Sequence, residues 1–204
     1  MSALTLVAAT GNKHKLLEIQ TVANRFALNV LAPKDVCTDT LAPEVIEDGT
    51  TFLENALIKA KAFSAWAQMP ALGDDSGLVV EALNGEPGIY SARYGGPGLS
   101  DFDRMRVLLK ALDDKEKETG VVNRRAWFVC HLALYFPDGR VEHAESRLEG
   151  EVLRELRGSE GFGYDPIIYI PSIKATLAEV DFSVTTTKGF RAHALEELFG
   201  RING

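Results

Sequence analysis

Two adjacent carboxylates, Asp74 and Asp75, interrupt a run of small and apolar residues from Leu72 to Val80. Like charges side by side repel each other, so both stay ionised only where cations or hydrogen-bond donors compensate them. Mg²⁺ is the usual compensator because it binds carboxylate oxygens and shares them with substrate phosphates. Asp, Ser and Gly also form turns, so a turn between two strands is the structural alternative. The run therefore predicts either a plain turn or an acidic site that holds a cation.

Composition narrows the class of protein. The length of 204 residues fits a single domain, residues 1–204, with or without a small second lobe. A net charge of -7 argues against broad nucleic-acid binding, which needs a basic face. The N-terminus has no secretory signal pattern, and no apolar run reaches membrane-spanning length. We therefore expect a cytoplasmic protein that binds a small molecule, with no nucleic-acid or membrane partner.

Hydrophobic periodicity and turn residues predict the order of secondary structure. Strands are expected at residues 4–9, 27–31, 74–82, 126–136, 140–149 and 167–170. Helices are expected at 13–26, from a Thr51 cap to Ala67, from a Ser100 cap to about Leu112, and at 189–201. The segment 113–121 reads as a charged, exposed connection. This order predicts an α/β fold with a mixed sheet that includes a long hairpin.

The first strand passes into the first helix through the segment Thr10–Lys15. Free backbone N–H groups and the positive end of the helix favour an anion there, and Lys13 and Lys15 add charge. The spacing is neither a P-loop nor a dinucleotide fingerprint. Ordinary helix capping with solvated lysines is the alternative interpretation.

A second acidic segment, Glu47-Asp48-Gly49, precedes the helix that carries Asn55 and Lys59 on one face. The functional interpretation assigns Glu47 to a metal ion and Lys59 to a phosphate. In the structural interpretation, Glu47 only stabilises the helix dipole and Lys59 is a surface residue.

The segment from Gly161 to Pro166 combines two glycines, two aromatic rings and the acid Asp165. Aromatic rings stack on nucleobases, and glycines let the backbone approach a ligand. A tight turn closed by a core aromatic is the alternative. Near the C-terminus, Arg191 can only donate hydrogen bonds, which suits a 6-keto oxygen, although a surface arginine is equally common there.

Five motifs occur in register over nearly the whole chain. They are Thr10-Gly11-Asn12-x-x-Lys15, Glu47-Asp48-Gly49-x-Thr51-Phe52-x-Glu54-Asn55-Ala56, Asp74-Asp75-Ser76-Gly77-Leu78, Pro87-Gly88-Ile89-Tyr90-Ser91-Ala92-Arg93-Tyr94 and Gly161-Phe162-Gly163-Tyr164-Asp165-Pro166. Together they resemble the inosine/xanthosine triphosphate pyrophosphatases, the Ham1-like family. The resemblance implies a two-lobed α/β fold with an elongated mixed sheet flanked by helices, an active-site cleft between the lobes, and a homodimer. It also implies Mg²⁺-dependent hydrolysis of the noncanonical purine nucleotides ITP, dITP and XTP to monophosphate and pyrophosphate.

The resemblance assigns roles to individual residues. Asp75 matches the proton acceptor and a metal ligand, and Glu47 matches a second metal ligand. Substrate contacts are expected from the phosphate-binding turn (Thr10, Gly11, Asn12, Lys13, His14 and Lys15), from Lys59 and Ser76, and from the base-binding loop (Phe162, Gly163, Tyr164 and Asp165). Asp74 is expected only to support the site.

The C-terminal block departs from the family pattern. Family members usually carry Ser-His-Arg where this chain has Gly189-Phe190-Arg191, and a lysine where it has Thr185. Lys188 or Lys174 is a candidate substitute for that lysine. We expect pyrophosphatase activity to be retained. A nucleotide-binding homologue with impaired catalysis and a house-cleaning pyrophosphatase of different base specificity remain the alternatives.

Overall fold

A computed structural model describes residues 4–36 and 40–203 of the chain. Its strands are β1 Thr5–Ala8, β2 Asn29–Leu31, β3 Ala71–Val80, β4 Arg125–Tyr135, β5 Val141–Val152, β6 Ile168–Ile170 and β7 Ala175–Thr176. Its α-helices are α1 Lys13–Arg25, α2 Phe52–Ala67, α3 Asp101–Thr119, α4 Phe182–Lys188 and α5 Phe190–Asn203. Within the described ranges, no helix combines the length and apolar character needed to cross a membrane.

The strands form one mixed sheet in the order β2-β1-β3-β4-β5-β6-β7. β1 pairs in parallel with β2 and β3, whereas β6 pairs antiparallel with β5 and β7. The predicted α/β fold with a mixed sheet is therefore confirmed.

The chain divides into two compact units. The first contains the segments up to Asp75, Cys130–Ser146 and from Thr186 onward, and the second contains Ser76–Val129 and Arg147–Thr185. The assignment of residues 1–204 to one domain stays a prediction.

In the first unit, β1 lies between two helical layers. Leu6 and Ala8 belong to the apolar cluster that contains buried residues of α1 and α5. Val7 and Ala9 belong to a second cluster with Phe63 and other residues of α2. Successive strand residues point to opposite faces of a sheet, so this alternation places α1 and α5 on one face and α2 on the other.

Two helix starts confirm the sequence signals. The Asn12 side chain caps α1 by accepting from the amides of His14 and Lys15. Thr51 and Glu54 form the predicted capping box at the start of α2. α1 therefore begins at a fixed position after β1, and α2 begins at a fixed position before β3.

In the second unit, α3 runs to Thr119, well past the predicted end near Leu112. The expectation of a charged connection at 113–121 was therefore wrong. Lys and Glu are good helix formers, and the helix ends only where Gly120 adopts a φ of 79°. Glu116, in this added part, pairs with Arg154 at 2.6 Å.

The strand predicted at 74–82 is confirmed as β3, which begins earlier, at Ala71, and ends at Val80, so the alternative of a plain turn at the two aspartates is wrong. A glycine permits this strand to approach α2 closely. A Cβ atom on Gly73 would lie 1.9 Å from the backbone carbonyl oxygen of Ala56. The position just before the acidic pair therefore requires a residue without a side chain.

We predict that Gly73→Ala lowers the free energy of unfolding by about 3 kcal/mol or more, because a rigid backbone carbonyl cannot yield as a flexible side chain does. Urea denaturation measures the loss. Gly200→Ala in α5 is the matched control, since its Cβ atom would meet nothing within 4 Å. This control should gain about 0.5–1 kcal/mol from helix propensity. Equal stability of the two variants would contradict the close approach of β3 to α2.

Candidate active site

The alternation of β3 sends the two aspartates to opposite faces of the sheet. Leu72 lies in the cluster formed with α1 and α5, and Gly73 faces α2. Asp74 therefore points toward α1 and α5, and Asp75 points toward α2. The repulsion that the sequence suggested is reduced because the neighbouring carboxylates do not share a side of the strand.

Asp74 lies in a buried network of charges. Its Oδ1 atom accepts from Lys15 Nζ at 2.7 Å, and its Oδ2 atom accepts from Arg191 Nε at 2.6 Å. Arg191 also donates through Nη1 to Glu18 Oε2 at 2.8 Å. Asp74 and Arg191 are each 1% exposed. Two acids and two bases thus balance one another, and only the Lys15 side chain, 15% exposed, is in partial contact with water.

The surroundings hold Asp74 in its ionised form. Burial alone would raise the pKa of Asp74, but the Arg191 and Lys15 charges outweigh it and hold the pKa well below its usual range. Burial also raises the pKa of Glu18, against the opposing effect of Arg191. Both Asp74 oxygens are committed to cations of the protein, which supports a structural role for this carboxylate.

Asp75 has a separate set of partners on the α2 face. Lys59 Nζ donates to Asp75 Oδ1 at 2.9 Å, and Asn55 Nδ2 lies 3.4 Å from Asp75 Oδ2. The same Lys59 ammonium lies 3.2 Å from Glu47 Oε1. Asn55 is fully buried, and its Oδ1 atom accepts from the Gly49 amide at 2.9 Å. One helix therefore positions the Glu47 segment and Asp75 beside each other.

Burial and neighbouring charges together determine the pKa values on this face. Burial raises the pKa of Asp75 by more than the Lys59 ammonium lowers it. Burial lowers the pKa of Lys59, but Asp75 and Glu47 more than offset this, so the pKa is raised. Lys59 therefore remains an ammonium, and Asp75 is a better proton acceptor than an exposed aspartate.

Glu47 and Asp75 fit a divalent cation of the Mg²⁺ type. Their carboxylates converge on one positive charge, the Lys59 ammonium. Within residues 4–36 and 40–203, no group of three or more His, Cys, Asp or Glu residues could hold a metal ion. Mg²⁺ commonly binds one or two carboxylates and completes its shell with waters and substrate phosphates, so two acids suffice.

The predicted phosphate-binding turn is largely committed to helix capping. Asn12 Oδ1 accepts from the His14 amide at 2.9 Å and from the Lys15 amide at 3.2 Å. Thr10 Oγ1 accepts from the Asn12 amide at 3.1 Å. Gly11, Asn12, Lys13 and His14 are exposed. Their contact with a phosphate stays a prediction.

The predicted base-binding loop lies in the second unit. Asp165 Oδ2 accepts from the Phe162 amide at 2.9 Å, so this acid closes the loop on itself. The Gly163 amide donates to Asp101 Oδ2 at 2.8 Å, and Tyr164 donates its hydroxyl to the Ser91 carbonyl at 2.9 Å. Gly163 has a φ of 64°, which favours glycine. The loop is thus held by its own acid and by two neighbouring segments.

Several assignments stay predictions. Arg191 was assigned to a 6-keto oxygen, but its described contacts support a different role, that of holding Asp74 and Glu18. Ser76 directly follows Asp75 on β3 and is partly buried. The side chain of Lys188 lies outside the described part of the chain, and Lys174 is exposed.

The sequence analysis did not identify Glu18 as a partner of Arg191 or Asp101 as a partner of the Gly163 amide. A signal for Glu18 was present, because it lies one helical turn after Lys15 and next to the buried Ile19. Nothing local marks Asp101 as a partner of the Gly163 amide, 62 residues away.

The fold and this site together define an α/β protein whose acidic pair and lysine suit a divalent cation with a bound phosphate. Comparison with known proteins is consistent with this class. The chain belongs to the Ham1 family, whose sequence model matches residues 6–201. The family resemblance of the five motifs is therefore confirmed.

Individual relatives match over nearly their full length. A Desulforamulus reducens protein named dITP/XTP pyrophosphatase is 39% identical over 98% of this chain and 96% of its own. One of the same name from Shouchella clausii is 40% identical over the same shares of the two chains. The solved structure of a HAM1 protein from Coxiella burnetii has a TM-score of 0.86 at 36% identity, covering 98% of both chains.

We predict that Arg191→Met lowers the free energy of unfolding at pH 7 by about 3–5 kcal/mol, because it leaves Asp74 and Glu18 buried without their shared cation. Arg25→Met is the matched control, since Arg25 is half-exposed and pairs with Glu196 on the surface. The control should change stability by no more than about 1 kcal/mol. Equal losses of unfolding free energy in Arg191→Met and Arg25→Met, measured by urea denaturation, would contradict the buried charge network.

The pH dependence follows from the lowered pKa of Asp74, whose ordinary value is 3.8. A lowered pKa contributes stability above about pH 4 that is lost as the pH falls further. Removing Arg191 removes one cause of the lowering, so the deficit of Arg191→Met should be steady from pH 7 to about pH 4 and should shrink as the pH falls below pH 4. A deficit that grows over this range would be inconsistent with an ionised Asp74.

Proposed function

We propose that this chain hydrolyses noncanonical purine nucleoside triphosphates, namely ITP, dITP and XTP, to the monophosphate and pyrophosphate. One observation carries the proposal: the buried Asp75 carboxylate shares the Lys59 ammonium with Glu47 in a member of the Ham1 family. The name that its relatives carry, dITP/XTP pyrophosphatase, supports the substrate class.

Glu47 and Asp75 would hold Mg²⁺, which when bound lowers the pKa of a coordinated water and neutralises phosphate charge. In the proposed reaction, water forms a bond to the α-phosphorus, and the bond from that phosphorus to the bridging oxygen breaks. Asp75 accepts the proton of the water. Lys59 supplies positive charge toward the triphosphate and the leaving pyrophosphate.

The loop that carries Phe162 and Tyr164 is the proposed base-binding segment. Its support is the clustering of glycines and aromatics and the anchoring of the backbone by Asp101 and Asp165. A fixed backbone presents the same surface to every ligand, which base selection requires. Homodimer formation and a cytoplasmic location belong to the same proposal.

We predict that a panel of triphosphates at equal concentration, assayed with Mg²⁺, shows pyrophosphate release from ITP, dITP and XTP. A site that pairs hydrogen-bond donors with a 6-keto group should discriminate against ATP by about 100-fold or more in kcat/KM. Chelation with EDTA should abolish the release, and added Mg²⁺ should restore it.

The panel also separates the alternatives. Binding of ITP without turnover would favour a homologue with impaired catalysis, and preferred release from dUTP would favour a different base specificity. Orthophosphate as the first product, or equal turnover of ATP and ITP, would contradict the proposed function.

A further inference from the structure

Lys59 is the cation that the two proposed metal ligands already share. Its ammonium lies 2.9 Å from Asp75 Oδ1 and 3.2 Å from Glu47 Oε1. The Lys59 side chain is 11% exposed, and those of Asp75 and Glu47 are 9% and 29% exposed. Water therefore screens this triad only in part, and the charges act on one another strongly.

Two converging, partly buried carboxylates need a positive charge nearby, and the ammonium supplies it. A divalent cation on the same carboxylates would meet an ammonium already in contact with both. The two cations repel each other, so the presence of one weakens the binding of the other. Lysine suits an exchange of this kind, because its charge sits at the end of a flexible four-carbon stem.

We propose that Lys59 is the internal counter-ion of Glu47 and Asp75 in the metal-free protein and competes with the divalent cation for them. When the cation binds, the ammonium leaves the carboxylates and becomes available to the triphosphate. Lys59 thus neutralises part of the charge of Glu47 and Asp75 before the cation binds, and it interacts with the triphosphate after the cation has bound. The inference rests on the proposed function, because it takes Glu47 and Asp75 as the metal ligands.

The competition gives an unusual expectation: loss of a lysine strengthens cation binding and weakens catalysis. Lys59→Met should bind Mg²⁺ about tenfold more tightly than the wild type, because the competing charge is gone. The same variant should hydrolyse ITP more slowly, because the charge for the triphosphate is also gone. A purely structural lysine would lower both.

The test is isothermal titration of Mg²⁺ alone into metal-free protein, with no nucleotide present. Lys61→Met is the matched control, because Lys61 lies on the same helix with its ammonium 6.0 Å from the centre of the Tyr135 ring. It changes the net charge equally, so its Mg²⁺ affinity should stay within about twofold of the wild type. Lys59→Arg keeps the competing charge and should show no gain.

Lys59→Gln is a second uncharged variant that disturbs the packing less. The glutamine amide can still donate a hydrogen bond to a carboxylate but carries no charge. This variant should also bind Mg²⁺ more tightly, and Mg²⁺ should raise its Tm by more than it raises that of the wild type. Equal or weaker affinity in both uncharged variants, or no Mg²⁺ binding by any of them, overturns the inference.

The outcomes distinguish this inference from the proposed function. If the wild type releases pyrophosphate from ITP but the uncharged variants gain no Mg²⁺ affinity, only the competition fails. If the variants gain affinity but no triphosphate is hydrolysed, the competition stands and the proposed function fails.

Discussion

The two-residue period of β3 is the constraint on which the site depends. Because neighbouring strand residues point to opposite faces, Asp74 and Asp75 meet different helices although they are adjacent in sequence. Asp74 meets Lys15 of α1 and Arg191 of α5, and Asp75 meets Asn55 and Lys59 of α2. One strand thereby joins a buried structural acid to an acid available for chemistry.

The two faces differ in how completely their charges are satisfied. On the Asp74 face, two acids and two bases pair in the interior, and both oxygens of Asp74 accept from protein cations. On the Asp75 face, one ammonium serves two carboxylates, which leaves excess negative charge for a cation. The first arrangement fixes the strand between its helices. The second leaves Asp75 able to exchange partners, which catalysis with a metal-bound phosphate requires.

Much of this fold could be predicted from local signals. The helix starts at Asn12 and Thr51 follow from capping chemistry, and the mixed sheet follows from the order of apolar segments. At the aspartates a strand was expected from Asp74 onward, but a turn stayed the alternative, because Asp and Gly are rare in strands and favour turns. What makes a strand possible there is a pair of cations 59 and 117 residues away from Asp74. Such compensation is a tertiary effect that no local sequence signal reports.

Comparison of Asp74→Asn with Asp75→Asn tests the division of roles most directly, with unfolding free energy and pyrophosphate release from ITP measured on each. Asp74→Asn should lower the free energy of unfolding by about 3 kcal/mol, because it leaves buried cations without their carboxylate partner. Asp75→Asn should cost less stability than Asp74→Asn, because Lys59 keeps Glu47 as a partner, but it should lower kcat by at least about 100-fold, because it removes the proton acceptor. Wild-type turnover in Asp75→Asn, or wild-type stability in Asp74→Asn, would contradict the account.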